Sequence, residues 1–211
     1  MTGRPLADAE LRAITDRTVG HYDRSARSFE EATRDHDVSQ NTAALLEAIE
    51  GPPPFVILDL GCGPGRDLAF FRDRGHEAVG LDASERFVDM ARAATGCEVL
   101  HQSFLALLLP KARFDGIYAN ASLFHVPTQE LPRVLAELRQ ALKPRGVFFS
   151  SNPHGDNTEG WSGDRYGAHH TLERWRKHVT AAGFTELSHY YRPAGKPRAQ
   201  QPWLATVWRA V

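Results

Sequence analysis

Residues 55–66 read FVILDLGCGPGR. An apolar run, Phe55-Val56-Ile57-Leu58, ends in the acid Asp59, and glycines follow at alternate positions, Gly61, Gly63 and Gly65. A short apolar run bounded by glycines predicts a fully buried strand feeding a tight turn into a helix. Together, a strand, a glycine turn and a helix start let the polar end of a ligand approach the backbone. Dinucleotide-binding turns use G-x-G-x-x-G, whose third glycine allows close helix–strand packing around a pyrophosphate. Here the spacing is G-x-G-x-G, and Arg66 stands where that third glycine would fall. By itself the turn leaves open a purely structural role in another nucleotide-binding α/β chain.

Three further stretches extend the reading. Residues 76–82, HEAVGLD, predict a second strand ending in Asp82. In a doubly wound sheet an acid there lies beside the turn after the first strand, where it can accept hydrogen bonds from both ribose hydroxyls of an adenosine. Asp82 and Ser84 also precede the helical run 85–95, so capping is a second role compatible with the first. Residues 114–126, FDGIYANASLFHV, predict a strand ending at Asn120, at the sheet edge where ligands bind. Residues 138–149, LRQALKPRGVFF, predict a helix running through a turn into another strand.

In this order the segments resemble the class I S-adenosylmethionine methyltransferases, over about residues 20–190 and nearest to the small UbiE and tellurite-resistance type. The first stretch resembles their E/D-x-G-x-G-x-G motif, and FDGIYANASLFHV their F-D-x-I/V motif. LRQALKPRGVFF resembles their LKPGG junction, with Arg145 in place of the first glycine. The resemblance implies S-adenosylmethionine as cofactor and S-adenosylhomocysteine as product. It implies a Rossmann-like fold: α/β, a doubly wound, seven-stranded, mainly parallel sheet. The cofactor carries no phosphate, so a turn shaped for pyrophosphate is not required. Implied cofactor contacts are Tyr22, Asp59, Gly61, Cys62, Gly63, Gly65, Asp82, Ala83, Phe104 and Asn120. Many relatives carry an acid after strand three that binds the adenine amino group. VLHQSFLAL puts Ser103 there, and Ser103 or Gln102 would accept that bond more weakly than a carboxylate.

Bulk composition sets bounds. The chain has 211 residues, 42% hydrophobic and 24% charged, as expected for one globular domain with a sizeable core. A formal net charge of −1 supplies no basic field for nucleic acid. Cys62 and Cys97 give neither a disulfide framework nor a zinc spacing, and read as small reduced residues. With no apolar run long enough for a bilayer and no leader-like segment, a cytoplasmic chain without membrane partners is expected, monomeric or homodimeric.

Along the chain, residues 8–33 predict a helical arm and 38–50 a second helix. This arm, 1–50, is expected to cover a core at 51–211 within one domain. Strands are expected at 55–60, 77–82, 97–101, 114–119 and 146–151, separated by helices at 66–75, 85–95 and 128–142. Leu172, Trp175, Val179 and Ala182 give another helical stripe. Residues 185–191 and 203–208 alternate polar and apolar, predicting an antiparallel C-terminal hairpin.

Two segments outside the motifs are candidates for the acceptor pocket. In HYDRSARSFEEATRDHDVSQ (21–40), Arg34 can hold a carboxylate of cofactor or substrate and His36 can contact substrate; a solvated interhelix loop is the alternative. SNPHGDNTEGWSGDRYGAHH (151–170) reads as a long substrate-side loop over the crevice. It offers Asn152, Trp161, Arg165 and Tyr166 as substrate contacts, and His154 or Tyr166 as proton acceptors. His125, just past the fourth strand, is the candidate base or acceptor-orienting group, the alternative being a packed histidine. The histidines show no helical ligand spacing, so no metal is expected.

Methyl transfer from a sulfonium is a direct displacement that depends mainly on alignment. A base is needed only if the acceptor must lose a proton early. The expected function is methyl transfer to a small-molecule N, S or O acceptor, with a small heteroaromatic or carboxylated amine or thiol favoured over a lipid. Alternatives are cofactor binding without turnover, a protein or RNA acceptor, and an NAD-type oxidoreductase, against which Arg66 argues.

Overall fold

The computed structural model describes residues 4–211. Seven strands form one sheet in the order β3-β2-β1-β4-β5-β9-β8. They are β1 (Val56–Leu60), β2 (Glu77–Asp82), β3 (Glu98–His101), β4 (Phe114–Asn120), β5 (Leu142–Pro153), β8 (Phe184–Arg192) and β9 (Trp203–Ala210). β9 runs antiparallel to both neighbours and the other pairings are parallel. The expected sheet and C-terminal hairpin are therefore present.

Alternate residues of the central strands serve opposite faces. Leu58, Leu60, Ile117 and Phe148 point into a cluster completed by α5 (Leu131–Ala141) and α6 (Leu172–Ala181). Ile57, Tyr118, Val147 and Phe149 point into the other, covered by α2 (Ser39–Ala48), α3 (Arg66–Asp73) and α4 (Glu85–Thr95). Burial on both faces explains why these strands read as continuous apolar runs rather than alternating ones. The 26-residue α1 (Asp8–Thr33) crosses the carboxyl edge of the sheet. It is tied there by Asp23, whose Oδ1 accepts from the Ser84 hydroxyl at 2.6 Å, at the start of α4.

Residues 151–170 are not a loop. β5 continues to Pro153, and β6 (Thr158–Ser162) pairs antiparallel with β7 (Arg165–His169) in a separate two-stranded sheet. The turn between them is Gly163-Asp164, with Gly163 at φ +60°. An isolated hairpin is marginal, and α1 supports this one. The Tyr166 N–H donates to the Thr18 hydroxyl at 3.1 Å, Arg17 reaches Asp164 at 3.0 Å, and the Arg17 guanidinium lies 4.4 Å from the Trp161 ring.

Candidate active site at the carboxyl edge of the sheet

A cavity of about 520 Å³ lies between the carboxyl ends of the strands and α1. On one side it is walled by the turn after β1, the end of β2 and the segment after β3. On the other it reaches Asn120, Ser151, Arg192 and Trp203.

The glycine turn packs tightly. A Cβ on Gly61, at φ +78°, would stand 2.4 Å from the Ser122 Cβ. The amides of this turn are all engaged. Gly61 and Cys62 N–H both donate to the Leu81 carbonyl, at 2.7 and 3.0 Å, and Gly65 N–H donates to the Cys62 carbonyl at 3.1 Å. Gly63 N–H donates to Asp82 Oδ2 at 2.9 Å, and Pro64 has no N–H. From Gly61 to Gly65 no amide remains to grip a phosphate.

Asp82 is fixed from two sides, because Ser84 N–H also donates to Oδ1, at 2.9 Å. Burial raises its pKa, and these backbone bonds oppose the rise. An ionised carboxylate offers roughly four acceptor positions. Two backbone donors leave room for two hydroxyl donors from a ligand in the cavity.

Tyr22 of α1 and His125, in the short 3-10 turn after β4, meet across the cavity wall. The Tyr166 carbonyl can only accept, so His125 Nδ1, 2.5 Å away, carries the hydrogen. That leaves a lone pair on Nε2, and the Tyr22 hydroxyl donates to it at 2.8 Å. Burial pushes the His125 pKa down to about 4, with the Tyr166 carbonyl resisting and the Arg165 charge assisting. The imidazole is therefore neutral at physiological pH with both nitrogens occupied. Burial also raises the Tyr22 pKa, opposed by Arg165. Phe29 and Phe87 complete an aromatic wall with Tyr22, with ring centroids 5.3–5.8 Å apart.

Beneath the turn lies a buried polar network. Arg66 clasps Asp67 through two hydrogen bonds, at 2.7 and 2.9 Å, and holds the Thr33 carbonyl at 2.9 Å. Asn120 donates to Asp67 at 3.2 Å and accepts from Asn41 at 3.0 Å, which fixes its amide. Asp59 is buried, one of its oxygens has no hydrogen-bond partner, and burial plus the Asp67 charge drive its pKa well up.

Residues 57–146 match the model of a family described as a methyltransferase domain. Over 100% of its length the chain is similar to 93% of Burkholderia thailandensis 1,6-didemethyltoxoflavin-N1-methyltransferase, with a TM-score of 0.77 and 23% sequence identity. That structure carries bound 1,6-didemethyltoxoflavin and S-adenosylhomocysteine. The chain has the class I methyltransferase fold. Trans-aconitate 2-methyltransferase of Azoarcus sp. (strain BH72) is 35% identical over 111 residues, 52% of this chain and 43% of that protein. The chain spans about half the length of the curated relatives it matches. The cyclase SpnF shares the fold at a TM-score of 0.74 and 18% identity, over 100% of this chain and 99% of that one. The reaction therefore has to be argued from the site rather than the fold.

In this methyltransferase fold the cavity wall includes Tyr22, His36, Gly61, Cys62, Gly63, Asp82, Ala83, Ser103, Phe104, Asn120 and His125 among the expected residues. Others stand elsewhere. Asp59 lies below the turn, and Gly65 caps α3 against Ala91, where a Cβ would come within 3.0 Å of backbone. Gln102 lines a separate small groove and closes onto Leu108 N–H at 2.9 Å. Arg34 is exposed at the end of α1, 3.6 Å from Glu30. Asn152 is buried outside the wall, and the His154 amide donates to the Pro202 carbonyl. Hairpin formation removes the remaining candidates from the wall. Trp161 is exposed under Arg17, Arg165 is exposed on β7 with its charge beside Tyr22 and His125, and the Tyr166 phenol packs against Trp161 with its pKa raised by burial to about 12. Tyr166 serves the site through its backbone alone.

Sequence reasoning missed Phe29, Arg66, Asp67, Phe87, Arg192 and Trp203. A signal existed for α1: Thr15, Thr18, Tyr22, Phe29 and Thr33 recur at helical spacing and all line the cavity.

Proposed function

We propose that the chain is an S-adenosylmethionine-dependent methyltransferase acting on a small molecule. The observation that carries this reading is the Asp82 carboxylate, pinned by Gly63 and Ser84 N–H beside a turn whose amides are all spent. That donor set suits an adenosine without phosphates and does not suit a dinucleotide. A small acceptor is also what the names of the relatives suggest, trans-aconitate in one and 1,6-didemethyltoxoflavin in another.

In this reading Asp82 takes the ribose hydroxyls, and Ser103 with Phe104 borders the adenine. At Gly63 an added Cβ would meet only the Phe29 ring, at 3.8 Å, so the backbone there leaves room for the amino-acid part. When bound, S-adenosylmethionine supplies a methyl group on a sulfonium, an already activated leaving group. What remains for the protein is alignment and exclusion of water. Tyr22, held by neutral His125, keeps lone pairs on its oxygen and orients an acceptor N–H or O–H. His125 positions Tyr22 and takes no proton at neutral pH, because both its nitrogens are occupied and its pKa is about 4. α1 and the β6–β7 hairpin hold this pair and close the cavity.

Calorimetry with S-adenosylhomocysteine and with NAD tests the reading. Micromolar binding of the first and none of the second is expected. Tighter binding of NAD would overturn it.

A further inference from the structure

We propose that the end of the cavity beneath β5, β9 and β8 is a subsite for a carboxylate on the methyl acceptor, gripped by Arg192 and Ser151. The proposal rests on the methyltransferase reading above and adds the chemical class of the acceptor. Strand register brings the parts together. Trp203, the first residue of β9, pairs with Pro153 at the end of β5 and with Arg192 at the end of β8. Ser151 pairs with Asn120 on one side and Ala205 on the other. All four cavity residues, Asn120, Ser151, Arg192 and Trp203, thus meet at one edge.

Two independent observations point to a ligand there. Ser151 is 1% exposed, and its hydroxyl has no hydrogen-bond partner. A buried hydroxyl left unpaired is costly, and a ligand oxygen that accepts from it removes that cost. Arg192 is the second. Its one hydrogen bond goes to the Asp37 carbonyl, and among the described residues no carboxylate oxygen lies within 4.0 Å of it. The other cavity arginine, Arg66, is neutralised by Asp67 at 2.7 Å. The Asp37 carboxylate lines the same wall but is engaged at the start of α2, where it accepts from Ser39 N–H at 2.9 Å. A guanidinium with spare N–H groups in a fork matches a carboxylate, and Trp203 with Pro193 supplies an apolar wall for the acceptor's body.

A carboxylate could reach Arg192 from the acceptor or from the amino-acid end of the cofactor. Position favours the acceptor, because β8 stands four strands from β1, on the order of 19 Å along the sheet.

The test uses protein saturated with S-adenosylhomocysteine, titrated with nicotinate, anthranilate, cinnamate and succinate, each against its amide. At least one acid is expected to bind tenfold or more tightly than its amide. Arg192→Gln should abolish that preference and Arg192→Lys should retain part of it, with S-adenosylhomocysteine affinity unchanged within twofold in both. Ser151→Ala should weaken the acid three- to tenfold. Equal binding of acid and amide in every pair, or a preference that survives Arg192→Gln, overturns the proposal. A tenfold loss of S-adenosylhomocysteine affinity in Arg192→Gln assigns the arginine to the cofactor and also overturns it. Failure of the wild type to bind S-adenosylhomocysteine removes the methyltransferase reading, and the subsite with it.

Discussion

Acidification from pH 7 to pH 4 should destabilise the fold in a way traceable to His125. Its imidazole is largely enclosed, donates from Nδ1 to the Tyr166 carbonyl and accepts at Nε2 from Tyr22, so protonating Nε2 breaks the second bond and places a charge in a poorly solvated position. Below pH 6.5 the unfolded chain takes up a proton that the folded chain refuses down to about pH 4. Stability is therefore lost as the pH falls across that window and levels off beneath it. A pKa held at about 4 instead of 6.5 corresponds to roughly 3 kcal/mol. Buried Asp59 and Asp82, whose pKa values are raised, contribute with the opposite sign, so the comparison must be differential. Urea unfolding of wild type and His125→Gln at pH 7, 6, 5 and 4 isolates the histidine. The wild type's stability relative to the variant should shrink by about 3 kcal/mol between pH 7 and 4. Parallel curves would refute a neutral, doubly bonded His125 and with it the positioning role.

Three further outcomes follow from the same geometry. Gly61→Ala should cost roughly 2–4 kcal/mol in a chemical melt, combining a left-handed φ with overpacking against Ser122, and should abolish S-adenosylhomocysteine binding. Tyr22→Phe should leave S-adenosylhomocysteine affinity within twofold while lowering acceptor kcat/KM about tenfold in a product-release assay, the scale of one lost hydrogen bond. His170, buried with both ring nitrogens unpartnered and its pKa pushed down to about 4, should be replaceable by leucine with a gain in stability; a fall in Tm at pH 7 would show that its ring is hydrogen-bonded after all.

The half of the cavity formed by the glycine turn and the ends of β2 and β4 was legible because its residues follow one another along short, buried strands. A run such as Val56–Leu60 can only be central, and Asp82 reaches the turn because β2 lies beside β1. The far half, at Ser151, Arg192 and Trp203, was not legible, because its residues come from segments far apart in sequence. Arg192 and Trp203 are joined only by the pairing of β8 with β9. The 151–170 segment misled because Gly160 and Gly167 interrupt its alternation and its partners are α1 and the short turn after β4 rather than the main sheet. Consequently Trp161 and Tyr166 were expected in a pocket and instead pack against each other, while the Tyr166 carbonyl, invisible to side-chain reasoning, sets the tautomer of His125. Asp59 illustrates the converse: the motif acid is present, but as a buried group under the turn.

The central claim is that Asp82 holds the ribose of an adenosine cofactor. Calorimetric titration of S-adenosylhomocysteine into wild type, Asp82→Ala and Asp82→Asn tests it most directly, with Tm as a check on folding. Two hydrogen bonds to a charged group, at roughly 1.5–3 kcal/mol each, predict micromolar binding to the wild type and at least a hundredfold loss in both variants. Equal affinity in folded wild type and variants would contradict the account.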